Sequence, residues 1–142
     1  MTNETRLNPY QRTAVAAALR QLEGALNTVD AVLRAGGDGR LTVTASDIGA
    51  DERERLAAQA ADVRAALSAL ADACRLDPLV RDGRRVMAAA LALAWEGLED
   101  IRPTRLGRYG AVDPALAATL EPALTTLIDL TLALLRAVEG HE

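Results

Sequence analysis

The stretch NPYQRTAVAAALRQLEGALNTVDAVL, residues 8–33, decides the fold class of this chain. Its large aliphatic side chains recur at alternating steps of four and three residues, at Val15, Leu19, Leu22, Leu26, Val29 and Leu33. This spacing places all of them on one stripe of an α-helix. The pair Asn8-Pro9 is typical of a helix start, and Gly36-Gly37 is typical of a helix end. We therefore predict a helix over about residues 9–35.

The same spacing returns in the second segment of the chain, at Leu56, Ala60, Val63, Leu67, Leu70 and Cys74. Asp51, with Glu54 three residues later, is an acidic variant of the capping box that begins many helices. The second predicted helix covers about residues 51–75.

Prolines mark the remaining helix boundaries. Asp77-Pro78 and Asp113-Pro114 each combine a capping side chain with a proline that suits the first helical turn. Pro103 prevents a helix from continuing past Arg102, and Gly140 suits a helix end. These residues predict a third helix over about residues 78–101 and a fourth over about residues 114–139.

Four helices of similar length predict an antiparallel up-down four-helix bundle, because each layer of side chains then meets a layer on a neighbouring helix. A chain of 142 residues is long enough for one such domain, residues 1–142, to bury a core without disulfides. The two long connections, residues 36–50 and 102–113, would both lie at one end of this bundle. Long connections are where functional sites concentrate, so we expect a site at that end.

The third and fourth predicted helices carry more apolar residues than one core stripe requires. The surplus residues include Leu79, Val86, Ala90 and Leu93 on the third helix, and Leu124, Ile128, Leu135 and Val138 on the fourth. In one interpretation these are core helices with wide apolar faces. In the other, the surplus face is the interface of a homodimer, because soluble monomers seldom expose large apolar patches. The residues predicted for that interface are Trp95, Leu124, Ile128 and Leu135.

The composition excludes several classes of function. All 16 basic residues are arginines, so the chain has no lysine for a Walker-type phosphate loop or a Schiff base. One histidine and one cysteine cannot build a zinc finger. A formal net charge of −4 argues against a general nucleic-acid binder, whose domain is usually basic. We expect no metal and no cofactor.

The side chains that usually carry catalysis are few and badly placed. His141 lies beyond the last predicted helix, and Cys74 falls on the core stripe of the second. No serine sits in a nucleophile-elbow motif. We therefore expect a protein that is not an enzyme.

One connection has the residue types of an anion site. Arg102, Arg105 and Arg108 recur every third residue beside Tyr109, and guanidinium groups bind carboxylates and phosphates through paired hydrogen bonds. In the alternative, these arginines pair with acidic residues at the same bundle end and only hold the connections in place. The acidic residues considered are Asp38, Asp47, Asp51 and Asp113.

Location and partners follow from the absence of other signals. Residues 1–4 resemble no signal peptide, the apolar run of residues 86–95 is too short to cross a bilayer, and Glu121 and Asp129 interrupt the apolar fourth helix. We expect a cytoplasmic protein with no membrane partner, encoded by a GC-rich bacterial genome because alanine and arginine are so abundant. Two functions remain open, a self-associating interaction module with a possible protein partner and a small-anion binding or sensor domain.

Overall fold

The computed structural model describes residues 6–34 and 39–140, and within them it contains α-helices and no strand. The all-α class is confirmed, although the described residues form five α-helices and not the four predicted. These are α1 (Pro9–Leu33), α2 (Ala50–Ala73), α3 (Gly83–Asp100), α4 (Pro103–Leu106) and α5 (Pro114–Glu139). The chain divides into two compact units, Met1–Pro78 and Leu79–Glu142. We call α1 with α2 hairpin 1, and α3 with α5 hairpin 2.

Helix α1 begins as the sequence predicts. The Asn8 side chain accepts a hydrogen bond from the Gln11 backbone N–H at 2.8 Å, and the Gln11 side chain accepts one from the Asn8 backbone at 2.9 Å. This reciprocal pair is a capping box, and Pro9 occupies the first turn. The helix ends at Leu33, two residues before the predicted end. Gly36 and Gly37, the predicted stop, lie outside the described residues.

Helix α2 begins at Ala50, and the predicted capping box at Asp51 is wrong. Gly49 occupies the capping position without a side-chain hydrogen bond, and Asp51 lies inside the first turn together with Glu52. Carboxylates in the first turn face the positive end of the helix dipole, which stabilises a helix start that has no capping side chain. Helix α2 ends at Ala73.

The two helices of hairpin 1 run antiparallel. Arg12, near the start of α1, contacts backbone carbonyls at the end of α2, and Arg53, near the start of α2, contacts the Leu33 carbonyl at the end of α1. Leu26 and Ala60 are the buried residues midway between these ends. The core of hairpin 1 is therefore narrow.

Helix α3 begins at Gly83, five residues after the predicted start at Pro78. The Asp82 side chain accepts a hydrogen bond from the Arg84 backbone N–H at 3.0 Å, so Asp82 caps the helix and Asp77 does not. Both aspartates are good caps, and local sequence does not rank them. Leu79 and Val80, which the early start would have placed on α3, are exposed.

The connection between α3 and α5 is helical, and this adds the fifth helix. Pro103 ends α3 as predicted, but it also occupies the first turn of α4. A 3₁₀ turn over Gly107–Tyr109 follows, and Gly110 takes a positive φ of 148° that suits glycine. The long connection predicted over residues 102–113 is therefore present, but residues 103–109 of it are helical and not a loop.

Helix α5 has the predicted bounds, Pro114–Glu139. The Asp113 side chain accepts from the Ala115 N–H at 2.9 Å, and Gly140 ends the helix in the left-handed conformation, φ 82°. The helix continues through Pro122.

The helices of hairpin 2 also run antiparallel. Arg84 at the start of α3 donates to the Val138 carbonyl at the end of α5, at 2.8 Å, while Arg102 just beyond α3 contacts Glu121 in the first half of α5. Leu124 and Ile128 of α5 form the buried core between the helices, at 4% and 3% exposure.

Candidate functional site

An exposed apolar face is the most prominent surface of hairpin 2. Its side chains are 41% to 64% exposed although they are large and aliphatic. They are Met87 of α3 and its cap Ile101, with Leu116, Leu127, Leu130 and Leu134 of α5. We call this set the leucine face. Val86 and Leu93 of α3 are also exposed, but helical spacing turns them about 100–120° from Met87, toward the back of α3.

Helical geometry places the central residues of the leucine face on one side of the hairpin. Leu127 and Leu134 directly precede Ile128 and Leu135, two residues that the α3–α5 pair covers. Met87 likewise precedes the half-buried Ala88 on α3. In two antiparallel helices, the residues that directly precede the contact residues are rotated about the helix axes toward the same side of the pair. The hairpin thus presents one continuous apolar side.

The opposite side of hairpin 2 is polar. Among the residues that directly follow covered positions, Asp129 and Arg136 of α5 and Glu96 of α3 are charged and lie on this side, together with small residues such as Ala89 and Thr125. Hairpin 2 therefore has one polar side, which is suited to contact with water, and one apolar side, which is the leucine face.

Hairpin 1 has an apolar side of a different kind. Its exposed large residues, Leu22, Val29, Val63 and Leu70, are 37% to 47% exposed and stand among small alanines. As in hairpin 2, these exposed alanines directly precede residues that the helix pair covers. They are Ala18, Ala25, Ala66 and Ala73. We call this set the alanine face. Small side chains let another helix backbone approach closely, but they offer less apolar area than leucines do.

The residues predicted for a dimer interface lie inside hairpin 2. Leu124 and Ile128 are buried between α3 and α5, and Trp95 and Leu135 are half-buried. The interface itself stays a prediction, but the residues that a partner would meet first are those of the leucine face. Sequence periodicity detected two apolar stripes on α5 and could not rank them, because both stripes repeat with the same spacing.

The Trp95 indole N–H lies inside hairpin 2 without a hydrogen-bond partner, while the rest of the side chain is half-buried. A buried donor without an acceptor costs about 1–3 kcal/mol. The indole ring offsets that cost through the apolar area it covers.

Arg102 is the centre of an ion-pair cluster where α3 meets α4. Its Nε donates to Glu99 Oε2 at 2.6 Å, and its Nη1 donates to Glu121 Oε1 at 2.7 Å. Glu99 belongs to α3, Glu121 to α5, and Arg102 precedes α4. One side chain at the start of α4 thus connects α3 with α5.

The other predicted anion-site residues lie next to this cluster. Arg105 Nη1 donates to Asp100 Oδ1 at 2.8 Å, Arg108 Nη2 lies 3.9 Å from the same oxygen, and the Arg108 guanidinium stacks 5.1 Å from the centre of the Tyr109 ring. The carboxylates that the arginines contact are Glu99, Asp100 and Glu121, which are not the ones considered from the sequence. The sequence did contain the signal, because Glu99 lies one helical turn before Arg102.

The cluster changes the acidity of its members. The hydrogen bond from Arg102, followed by its positive charge, holds the pKa of Glu99 below the ordinary value of 4.5. The same hydrogen bond raises the pKa of Arg102. Both groups therefore keep their charges at neutral pH, and the guanidinium is already occupied by carboxylates.

No catalytic arrangement stands out in the described part of the chain. Cys74 is a half-buried free thiol that follows α2, and its carbonyl accepts from Arg12 at 3.0 Å. Residues 6–34 and 39–140 contain no group of three or more His, Cys, Asp or Glu side chains that could hold a metal ion. His141 lies outside the described residues.

Comparison with known proteins leaves the site to be interpreted from its own geometry. No protein-family model, no curated protein and no solved structure matches this chain.

Proposed function

We propose that this protein is a non-catalytic helical interaction module that self-associates through α3 and α5. The observation that carries the proposal is the leucine face, a continuous apolar side on a hairpin whose other side is charged. Exposed apolar patches of this size mark interaction surfaces in soluble proteins.

The size of the leucine face suits a protein–protein interface. Six large aliphatic side chains, each exposed over roughly half of its surface, offer a substantial part of the roughly 800 Å² that each partner buries in a stable complex. The face includes no charged residue, so a partner can cover it without leaving a buried charge unpaired.

The need to cover an exposed apolar side supports the same proposal. An antiparallel up-down four-helix bundle buries the apolar sides of its helix pairs, and in the proposed dimer hairpin 2 of each copy supplies two of the four helices. A four-helix bundle formed by one chain, as a single domain over residues 1–142, is the alternative that a monomeric chain would favour.

The remaining features of the proposal concern chemistry and location. We propose a protein without metal, cofactor or enzymatic activity that works in the cytoplasm. Anion binding at Arg102, Arg105, Arg108 and Tyr109 receives less support, because carboxylates of the same hairpin already occupy Arg102 and Arg105.

One described helix, α5, is long and apolar enough to cross a membrane by length and composition. This is weak evidence, since core helices of soluble proteins pass the same test, but such helices are mostly buried and only 11% of the apolar window of α5 is. The test of the proposal therefore also measures binding to lipid vesicles.

The test replaces exposed leucines of the leucine face. We expect the full chain to be dimeric in multi-angle light scattering at micromolar concentration, and the variant Leu130→Gln/Leu134→Gln to be monomeric with unchanged helix content. Both side chains are more than half exposed, so the hairpin itself loses little packing. The affinity should fall at least tenfold, because two apolar anchors are lost.

The matched control places polar side chains on the other side of hairpin 2. Ala89→Gln/Ala118→Gln changes two exposed alanines of α3 and α5 and should leave the dimer intact. A monomeric wild-type chain at micromolar concentration would refute self-association. If that monomer binds neutral phosphatidylcholine vesicles, and Leu130→Gln/Leu134→Gln abolishes the binding, the leucine face meets lipid instead.

A further inference from the structure

We draw no further inference here: the strongest candidate, the exposed apolar surface patch of α3 and α5 that forms the leucine face, carries nothing beyond the proposed function, because nothing in the structure shows what covers it or in which direction a partner would lie.

Discussion

The two hairpins of this protein have the same construction and different surfaces. Hairpin 1 has a narrow core around Leu26 and Ala60, and its exposed side is rich in alanine. Hairpin 2 has two large buried side chains, Leu124 and Ile128, and exposes the leucine face. Antiparallel pairing of helices therefore does not by itself require large buried side chains, and the extra leucines of hairpin 2 lie outside the contact between α3 and α5.

The hairpins share one kind of contact that supplements their cores. In hairpin 1, Arg12 and Arg53 each reach across to carbonyls at the end of the neighbouring helix. Neither α1 nor α2 has a basic residue in its own last turn, so the neighbouring helix supplies the positive charge that a helix end favours. Arg64 adds an ion pair with Asp30 at 2.5 Å. In hairpin 2, Arg84 likewise reaches the Val138 carbonyl at the end of α5, so the hairpins differ in their buried aliphatic side chains and not in their use of arginine.

The largest expected effect tests the core of hairpin 2. Ile128→Ala removes a side chain that is 3% exposed, and it should lower the free energy of unfolding of hairpin 2 by about 2–5 kcal/mol. The measurement is chemical denaturation followed by circular dichroism. Leu130→Ala on the same helix is the control, because Leu130 is 64% exposed and should cost far less. Equal losses in the two variants would show that hairpin 2 lacks the buried core described above.

An intermediate effect tests the arginines of hairpin 1. Arg12→Gln and Arg53→Gln should each destabilise hairpin 1 by about 1 kcal/mol, since each removes a charged hydrogen bond to helix-end carbonyls at a partly exposed position. Hydrogen exchange should report faster opening at the ends of α2 and α1, respectively. Arg20→Gln, an exposed arginine of α1, should leave the exchange unchanged. If all three variants behave alike, the cross-helix contacts do not stabilise the hairpin.

The smallest effect concerns acid and is confined to hairpin 2. The pKa of Glu99 is lowered in the folded chain, so its ion pair with Arg102 stabilises hairpin 2 above the unfolded pKa and the stabilisation is lost as the pH falls through the folded pKa. Glu99→Gln should therefore reduce the dependence of Tm on pH below about pH 4.5, the ordinary value. Glu96→Gln on the same helix is the control. A steeper dependence in Glu99→Gln would give the opposite sign and contradict the lowered pKa.

The sequence by itself determined the helical class and most helix ends. The capping side chains of Asn8 and Asp113 and the left-handed Gly140 act on residues only a few positions away, so their effects can be derived from neighbours in the chain. The same local reasoning went wrong at Asp77 and Asp51, where several residues within a short stretch are able to begin a helix. It also missed α4, because a proline that stops one helix equally well starts another.

Only the tertiary structure decided which side chains meet. Arg102 pairs with Glu121, 19 positions away in the chain, and Arg12 contacts the Cys74 carbonyl, 62 positions away. Contacts over such separations form only because the helices pair. The packing of α3 against α5 likewise buried Leu124 and Ile128 and left Leu127, Leu130 and Leu134 exposed, although both sets have helical spacing. The physical reason is that helix formation depends on near neighbours and on apolar periodicity, while the choice of the buried stripe depends on the surface of the helix opposite.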